Sequence, residues 1–67
     1  MNELTQIGIK VVQLRKQKGW SRAKLSEETG ICPDNLRRIE TGTGNPRAKT
    51  LLKIVEALGI TLVELVE

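Results

Sequence analysis

Apolar residues recur at helical spacing along most of the chain, and the breaks between the repeats predict five short helices. The first helix is predicted over about residues 5–18, and its inward face comprises Ile7, Val11, Leu14 and Lys18. The fourth is predicted over residues 48–58, where Leu51, Ile54, Val55 and Leu58 repeat at i, i+3, i+4 and i+7. Glycines follow both segments at the positions where a helix ends.

Two further helices are predicted close together, over residues 22–29 and from Pro33 to about residue 41, with a tight turn at Gly30. Ser21 suits the N-cap of the first of these helices, and a proline suits the first residue of the second. Leu36 and Ile39 fall on the inward face of the second helix. Two short helices around a glycine turn are typical of the helix-turn-helix, whose second helix enters the DNA major groove.

Positive charge is concentrated in the first part of the chain. The net charge is +3 over 67 residues, and the run from Lys10 to Lys24 contains six basic residues and no acidic one. After Lys53 only acidic charges follow. This asymmetry favours a polyanionic partner, although a solvated helix face would give a similar pattern.

Several classes of function are disfavoured by composition. The chain has one cysteine, Cys32, and no histidine, so neither an internal disulfide nor a zinc site of the usual ligands is expected. No nucleophile–base pair is recognisable, so we expect no enzyme and no cofactor. No apolar run approaches eighteen residues, so we expect no membrane span and a cytoplasmic protein. The length predicts a single domain over residues 1–67.

The whole pattern resembles the Cro and phage-repressor family of DNA-binding domains, often called XRE-type. The resemblance covers about residues 6–65 and includes LR followed by KGWS, then Gly30, Ile39-Glu40, Asn45-Pro46 and the closing ALGI. It implies an all-α, five-helix, lambda-repressor-like bundle in which helices two and three form the helix-turn-helix. It also implies double-stranded DNA as the partner.

The resemblance implies base contacts from the first turn of helix three and from its outward face. The matching residues are Pro33, Asp34, Asn35, Arg37 and Arg38. Arg37 or Arg38 suits guanine, Asn35 suits adenine, and Asp34 suits the amino group of cytosine. Asp34 is unfavourable near phosphates unless an arginine pairs with it, and a favourable interaction with the helix dipole explains it equally well.

Phosphate contacts are implied at two places. Ser21 and Arg22 stand at the N-terminus of helix two, where free N–H groups attract anions, and most relatives have Gln in place of Arg22. The residues Thr43, Asn45 and Arg47 belong to the loop after helix three, which in the family lies against the sugar-phosphate backbone. Turn chemistry alone would also explain the Asn45-Pro46 pair.

An ion pair between Arg15 and Glu40 is implied by the resemblance, with the guanidinium edge also available to a phosphate.

The final short helix, capped by Thr61, has apolar residues around most of its circumference. We therefore expect a homodimer interface formed by Leu62, Val63 and Val66, although a frayed C-terminal helix would look the same. Together these features predict a transcriptional regulator, a repressor that binds a palindromic operator as a dimer. The alternative is an antitoxin-like protein-interaction module in which DNA binding is secondary.

Overall fold

The computed structural model describes residues 2–67, which form five helices and no strand. They are α1 (Glu3–Gln17), α2 (Arg22–Thr29), α3 (Pro33–Thr41), α4 (Ala48–Leu58) and α5 (Leu62–Val66). The predicted all-α, five-helix fold is confirmed. Helix α1 begins two residues earlier than predicted because the Asn2 side chain caps it, accepting a 2.8 Å hydrogen bond from the backbone N–H of Thr5.

All five helices and the α2–α3 turn contribute to one hydrophobic core. Its buried members are Val11, Leu25, Ile31, Leu36, Ile39, Ile54, Val55, Leu58 and Leu65. Trp20 packs against this cluster while remaining partly exposed, as expected for a residue that seals α1 against α2. Lys18, predicted on the inward face of α1, is instead exposed at the C-cap, and its ammonium lies 4.9 Å from the Trp20 ring centroid.

The turn between α2 and α3 has the conformation that the glycine predicts. Gly30 adopts φ 74°, a left-handed conformation that a residue with a side chain rarely takes. The Thr29 hydroxyl accepts from the N–H of Ile31 at 3.2 Å, and the Ser26 hydroxyl donates to the carbonyl of Ile31. Cys32 caps α3 without a side-chain hydrogen bond. The angle between α2 and α3 is thus held by the backbone and by two hydroxyls.

Helices α1 and α3 lie very close together at Gly8. A Cβ atom added there would lie 2.4 Å from the carbonyl oxygen of Ile39 and 2.6 Å from that of Glu40. Both oxygens belong to the backbone of α3, which cannot move aside as a flexible side chain can. The absence of a side chain at residue 8 therefore sets the distance between α1 and the last turn of α3, a role that the sequence analysis did not assign.

Candidate nucleic-acid interface

Helix α3 has one buried and one exposed face. Leu36 is fully buried and Ile39 nearly so, which fixes the rotation of the helix about its axis. The five residues expected to contact bases are all exposed: Pro33, Asp34, Asn35, Arg37 and Arg38. Pro33 occupies the first turn of α3, where no backbone N–H is needed.

An open groove of about 410 Å³ lies between α3 and the loop that follows it. Asn35 and Arg38 line its α3 side, and Asn45 and Arg47 line its loop side. Two expected base-contacting residues and two expected phosphate-contacting residues therefore share one surface.

The loop is held against the end of α3 by backbone hydrogen bonds. The carbonyl of Arg38 accepts from the N–H groups of Thr43 at 3.0 Å and Gly44 at 3.2 Å. The hydroxyls of Thr41 and Thr43 are 3.0 Å apart and hydrogen-bonded. The positions of Thr43 and the residues after it are consequently tied to the backbone of α3.

The N-terminus of α2 carries the other two expected phosphate contacts. The Ser21 hydroxyl accepts a 3.1 Å hydrogen bond from the N–H of Lys24 and so serves as the helix cap. Arg22 follows as the first helical residue, with 38% of its side chain exposed.

Arg22 also belongs to a buried ionic cluster that the sequence analysis recognised only in part. Arg15 forms a two-pronged pair with Glu40, with Nε 2.7 Å from Oε2 and Nη2 3.1 Å from Oε1. The Nε of Arg22 donates to the same Oε1 at 2.9 Å. The Glu40 side chain is 1% exposed. One buried carboxylate thus accepts hydrogen bonds from two guanidinium groups on two other helices.

Each guanidinium nitrogen of Arg15 already donates to an oxygen of the protein. Its Nε and Nη2 donate to Glu40, its Nη1 donates to the carbonyl of Trp20 at 3.1 Å, and its side chain is 10% exposed. Little of the Arg15 side chain is therefore open to a phosphate, and the contact suggested for it stays a prediction. Arg15 instead joins α1 to α3 and to the residue before the Ser21 cap.

The protonation states of the cluster follow from these contacts. Burial alone would raise the pKa of Glu40, but the hydrogen bonds from Arg15 and Arg22, with their positive charge, outweigh it and lower the pKa below its ordinary value. The hydrogen bond to Glu40 raises the pKa of Arg15 despite some desolvation. Glu40 and Arg15 are consequently both charged at neutral pH.

Among the described residues Asp34 has no arginine partner, so of the two explanations offered by the sequence the structure favours the helix dipole. No ion pair among residues 2–67 includes Asp34, and the side chain is exposed in the first turn of α3. Its position at the positive end of the helix dipole is favourable without a partner.

Exposed apolar side chains occur away from the groove. Val63 and Val66 on α5 are 60% and 52% exposed, whereas Leu62 is partly buried against the core. Leu52 and Ile9 are also exposed, and the sequence analysis missed both. Leu52 could have been found because it lies outside the i, i+3, i+4, i+7 face of α4.

In the described part of the chain, no three metal-ligating side chains come together. Across the same residues, no helix combines the length and the apolar character needed to cross a bilayer.

A capped α2, a left-handed glycine turn and an α3 with a buried apolar face and an exposed basic face define the class of helix-turn-helix DNA-binding domains. The helix-turn-helix family model matches residues 11–65. The chain belongs to this family, the XRE-type helix-turn-helix transcription regulators, and the resemblance seen in the sequence is confirmed.

Two curated relatives show the range of lengths in which such a domain occurs. The chain is 42% identical over 48 residues to the HTH-type transcriptional regulator SutR of Escherichia coli, a stretch that covers 72% of this chain and 27% of SutR. It is 33% identical over 60 residues to the uncharacterised HTH-type transcriptional regulator y4dJ of Sinorhizobium fredii, covering 90% and 78% of the two chains. The chain thus spans about a quarter of SutR and most of y4dJ.

Two solved structures have the same architecture. The restriction-modification controller protein C.AhdI from Aeromonas hydrophila superposes with a TM-score of 0.89 at 31% identity, covering 92% of this chain and 94% of that one. The clp gene regulator ClgR from C. glutamicum superposes with a TM-score of 0.93 at 21% identity, covering 98% and 85%, and at that identity it shows the fold alone.

Proposed function

We propose that this DNA-binding regulator is sequence-specific, and that it acts in the cytoplasm as a repressor bound as a homodimer to a palindromic operator. Residues 1–67 then form one helix-turn-helix domain. The supporting observation is the groove beside α3, where Asn35 and Arg38 lie opposite Asn45 and Arg47. A base-reading side and a backbone-binding side in one groove match the way a recognition helix enters the major groove.

In this proposal the exposed face of α3 reads bases. Arg37 or Arg38 donates two hydrogen bonds to a guanine, and Asn35 pairs with an adenine. Pro33 contacts a thymine methyl group or fills space, and Asp34 accepts from a cytosine amino group. Of the two arginines, Arg38 has the stronger support because it lines the groove.

Phosphates are held on both sides of α3. Ser21 and Arg22 lie at the N-terminus of α2, where the helix dipole favours an anion. Thr43, Asn45 and Arg47 lie on the loop that is hydrogen-bonded to the end of α3. These contacts fix the position of α3 in the groove, whereas α3 supplies the sequence preference.

The test begins with selection of preferred duplexes from a random pool, followed by titration of a labelled duplex from 50 to 200 mM salt. If the dimer neutralises about six to ten phosphates, affinity should fall roughly 10³- to 10⁵-fold over that range. Failure to bind duplex DNA at low salt, or a flat salt response, contradicts the proposal.

Sequence reading is tested by Arg38→Ala on the selected site and on every single-base variant of it. The loss should be about 1–3 kcal/mol on the preferred site and should relax the preference at one base pair in each half-site. Lys53→Gln, on the exposed side of α4, is the matched control and should retain the preference. An equal loss on all sequences for Arg38→Ala would assign this arginine to the backbone instead.

A further inference from the structure

We propose that Glu40 is a positioning residue for DNA binding: from α3 it fixes the Arg22 guanidinium at the N-terminus of α2, so that the remaining N–H groups of Arg22 donate to a phosphate. This inference rests on the proposed function and adds a defined partner for Arg22. The residue that fixes the phosphate contact then belongs to the same helix that reads the bases.

The charges of the cluster support this assignment. Two guanidinium groups share one carboxylate, so one positive charge is uncompensated within the cluster. Arg15 is 10% exposed and each of its three nitrogens donates to a protein oxygen. The surplus charge is therefore presented to the surface by Arg22, which is 38% exposed.

The hydrogen-bond geometry leaves Arg22 suitable donors. Only its Nε takes part in a hydrogen bond within residues 2–67, and this bond goes to Glu40. The two Nη atoms carry the other four N–H groups of the planar guanidinium, and a pair of them matches the geometry of a phosphate. Arginine can thus bind the buried carboxylate with one edge and an anion with another.

Anchoring matters because a free arginine side chain loses conformational entropy when it binds. A guanidinium already fixed by Glu40 loses less on contact with DNA, which raises affinity without a new contact. The anchor also joins α2 to α3, so the phosphate contact and the base-reading face keep a constant separation. A neutral residue such as glutamine at this position would not bring the positive charge that Arg22 supplies.

The experiment compares Arg22→Gln and Arg22→Lys with Lys53→Gln, which removes one charge away from the proposed DNA contacts. Each protein is titrated with specific and nonspecific duplexes over a salt series after its thermal midpoint has been measured. Arg22→Gln should weaken both duplexes equally, about tenfold per protomer. It should also reduce the slope of log affinity against log salt by about 0.9 per protomer, the value for one phosphate contact.

Arg22→Lys separates positioning from charge. A lysine ammonium has the same charge but lacks the planar fork, so it cannot bind Glu40 and a phosphate in the arrangement described. Its affinity should fall close to that of Arg22→Gln. Wild-type affinity in Arg22→Lys would overturn the positioning role of Glu40 and leave charge as the explanation.

A double-mutant cycle provides the direct test of Glu40. Glu40→Gln should weaken DNA binding in the wild-type background and have little further effect in the Arg22→Gln background. Additive losses would overturn the inference. If Glu40→Gln does not fold, the Arg22→Lys comparison decides the question.

The titrations of the wild type, Arg22→Gln and Lys53→Gln also distinguish a failure of this inference from a failure of the proposed function. Salt-dependent duplex binding by the wild type, together with Arg22→Gln behaving like Lys53→Gln, would overturn only the assignment to Arg22 and Glu40. No duplex binding by the wild type would overturn both.

Discussion

At the scale of single residues, the Glu40 carboxylate is held by burial and by hydrogen bonds from two arginines. It is 1% exposed and accepts hydrogen bonds from Arg15 and Arg22, so it must be ionised for the cluster to form. Its position between α1, α2 and α3 makes its protonation part of the folding equilibrium.

Stability should therefore depend on acid through Glu40. Because its folded pKa is lowered, the stabilisation is present above the unfolded pKa of about 4.3 and is lost as pH falls through the folded pKa. Urea unfolding from pH 7 to pH 2 should show the free energy of unfolding decreasing below about pH 4.3. A carboxyl titration by NMR should place the pKa of Glu40 below the ordinary value for a glutamate.

The matched control for this prediction is Glu28→Gln, because Glu28 pairs with Lys24 on the exposed side of α2. It should leave the acid dependence unchanged, since exposed pairs contribute little. Glu40→Gln should lower the free energy of unfolding by about 3–5 kcal/mol at neutral pH. It should also reduce the further decrease of that free energy in acid. If the Glu40→Gln variant loses stability in acid as the wild type does, other carboxylates cause that loss.

The residue scale is also where sequence reasoning stopped short. The Arg15–Glu40 contact was expected from a family motif, but the hydrogen bond from Arg22 to the same oxygen was not. Eighteen residues and a change of helix separate Arg22 from Glu40. The side-chain conformation that joins them depends on the crossing of α2 and α3, which spacing along the chain does not specify.

At the scale of helices, local signals specify most boundaries. The bounds of α2 and α4 match the expectation, because Ser21 caps α2 and Gly59 follows α4. The packing role of Gly8 could not be predicted from the sequence, because a glycine within an amphipathic helix does not by itself indicate a close contact. Its importance arises only when Ile39 and Glu40 of α3, more than thirty residues later, lie against it.

Gly8→Ala should consequently destabilise the protein, although alanine favours helix more than glycine does. The added methyl group would overlap the carbonyl oxygen of Ile39, and overpacking against backbone typically costs about 1–3 kcal/mol. Chemical denaturation measures the change. Gln13→Ala, an exposed substitution on the same helix, is the control and should be neutral or slightly stabilising. A more stable Gly8→Ala variant would show that α1 and α3 can separate without cost.

At the scale of the whole molecule, size and the expected DNA geometry support a dimer. The longest extent of the protomer is 27 Å, whereas successive major grooves on one side of a duplex are about 34 Å apart. One protomer therefore cannot place α3 in two successive grooves. We propose that two copies joined through α5 do so, because α5 has exposed apolar side chains and no basic residue.

The dimer is tested by introducing Val63→Glu and Val66→Glu together. The double variant should fold as a monomer and bind the selected site much more weakly and without cooperativity, because charges replace the apolar contact. Sedimentation at tens of micromolar and operator titration measure the two effects. A wild type that is monomeric under those conditions, or a variant that is still dimeric, would exclude this interface. The control Leu52→Glu tests whether exposed apolar residues of α4 contribute.

The surroundings of Trp20 give the protein an intrinsic optical probe. Trp20 is the only aromatic residue of the chain, and the ammonium groups of Lys18 and Lys24 lie 4.9 and 6.0 Å from its ring centroid. Its backbone carbonyl accepts a hydrogen bond from Arg15, which joins the Trp20 backbone to the ionic cluster. The tryptophan fluorescence of the protein therefore reports on one location alone. If an incoming phosphate draws either lysine away from the ring, the emission will change, and unlabelled protein and DNA will suffice to follow association in real time.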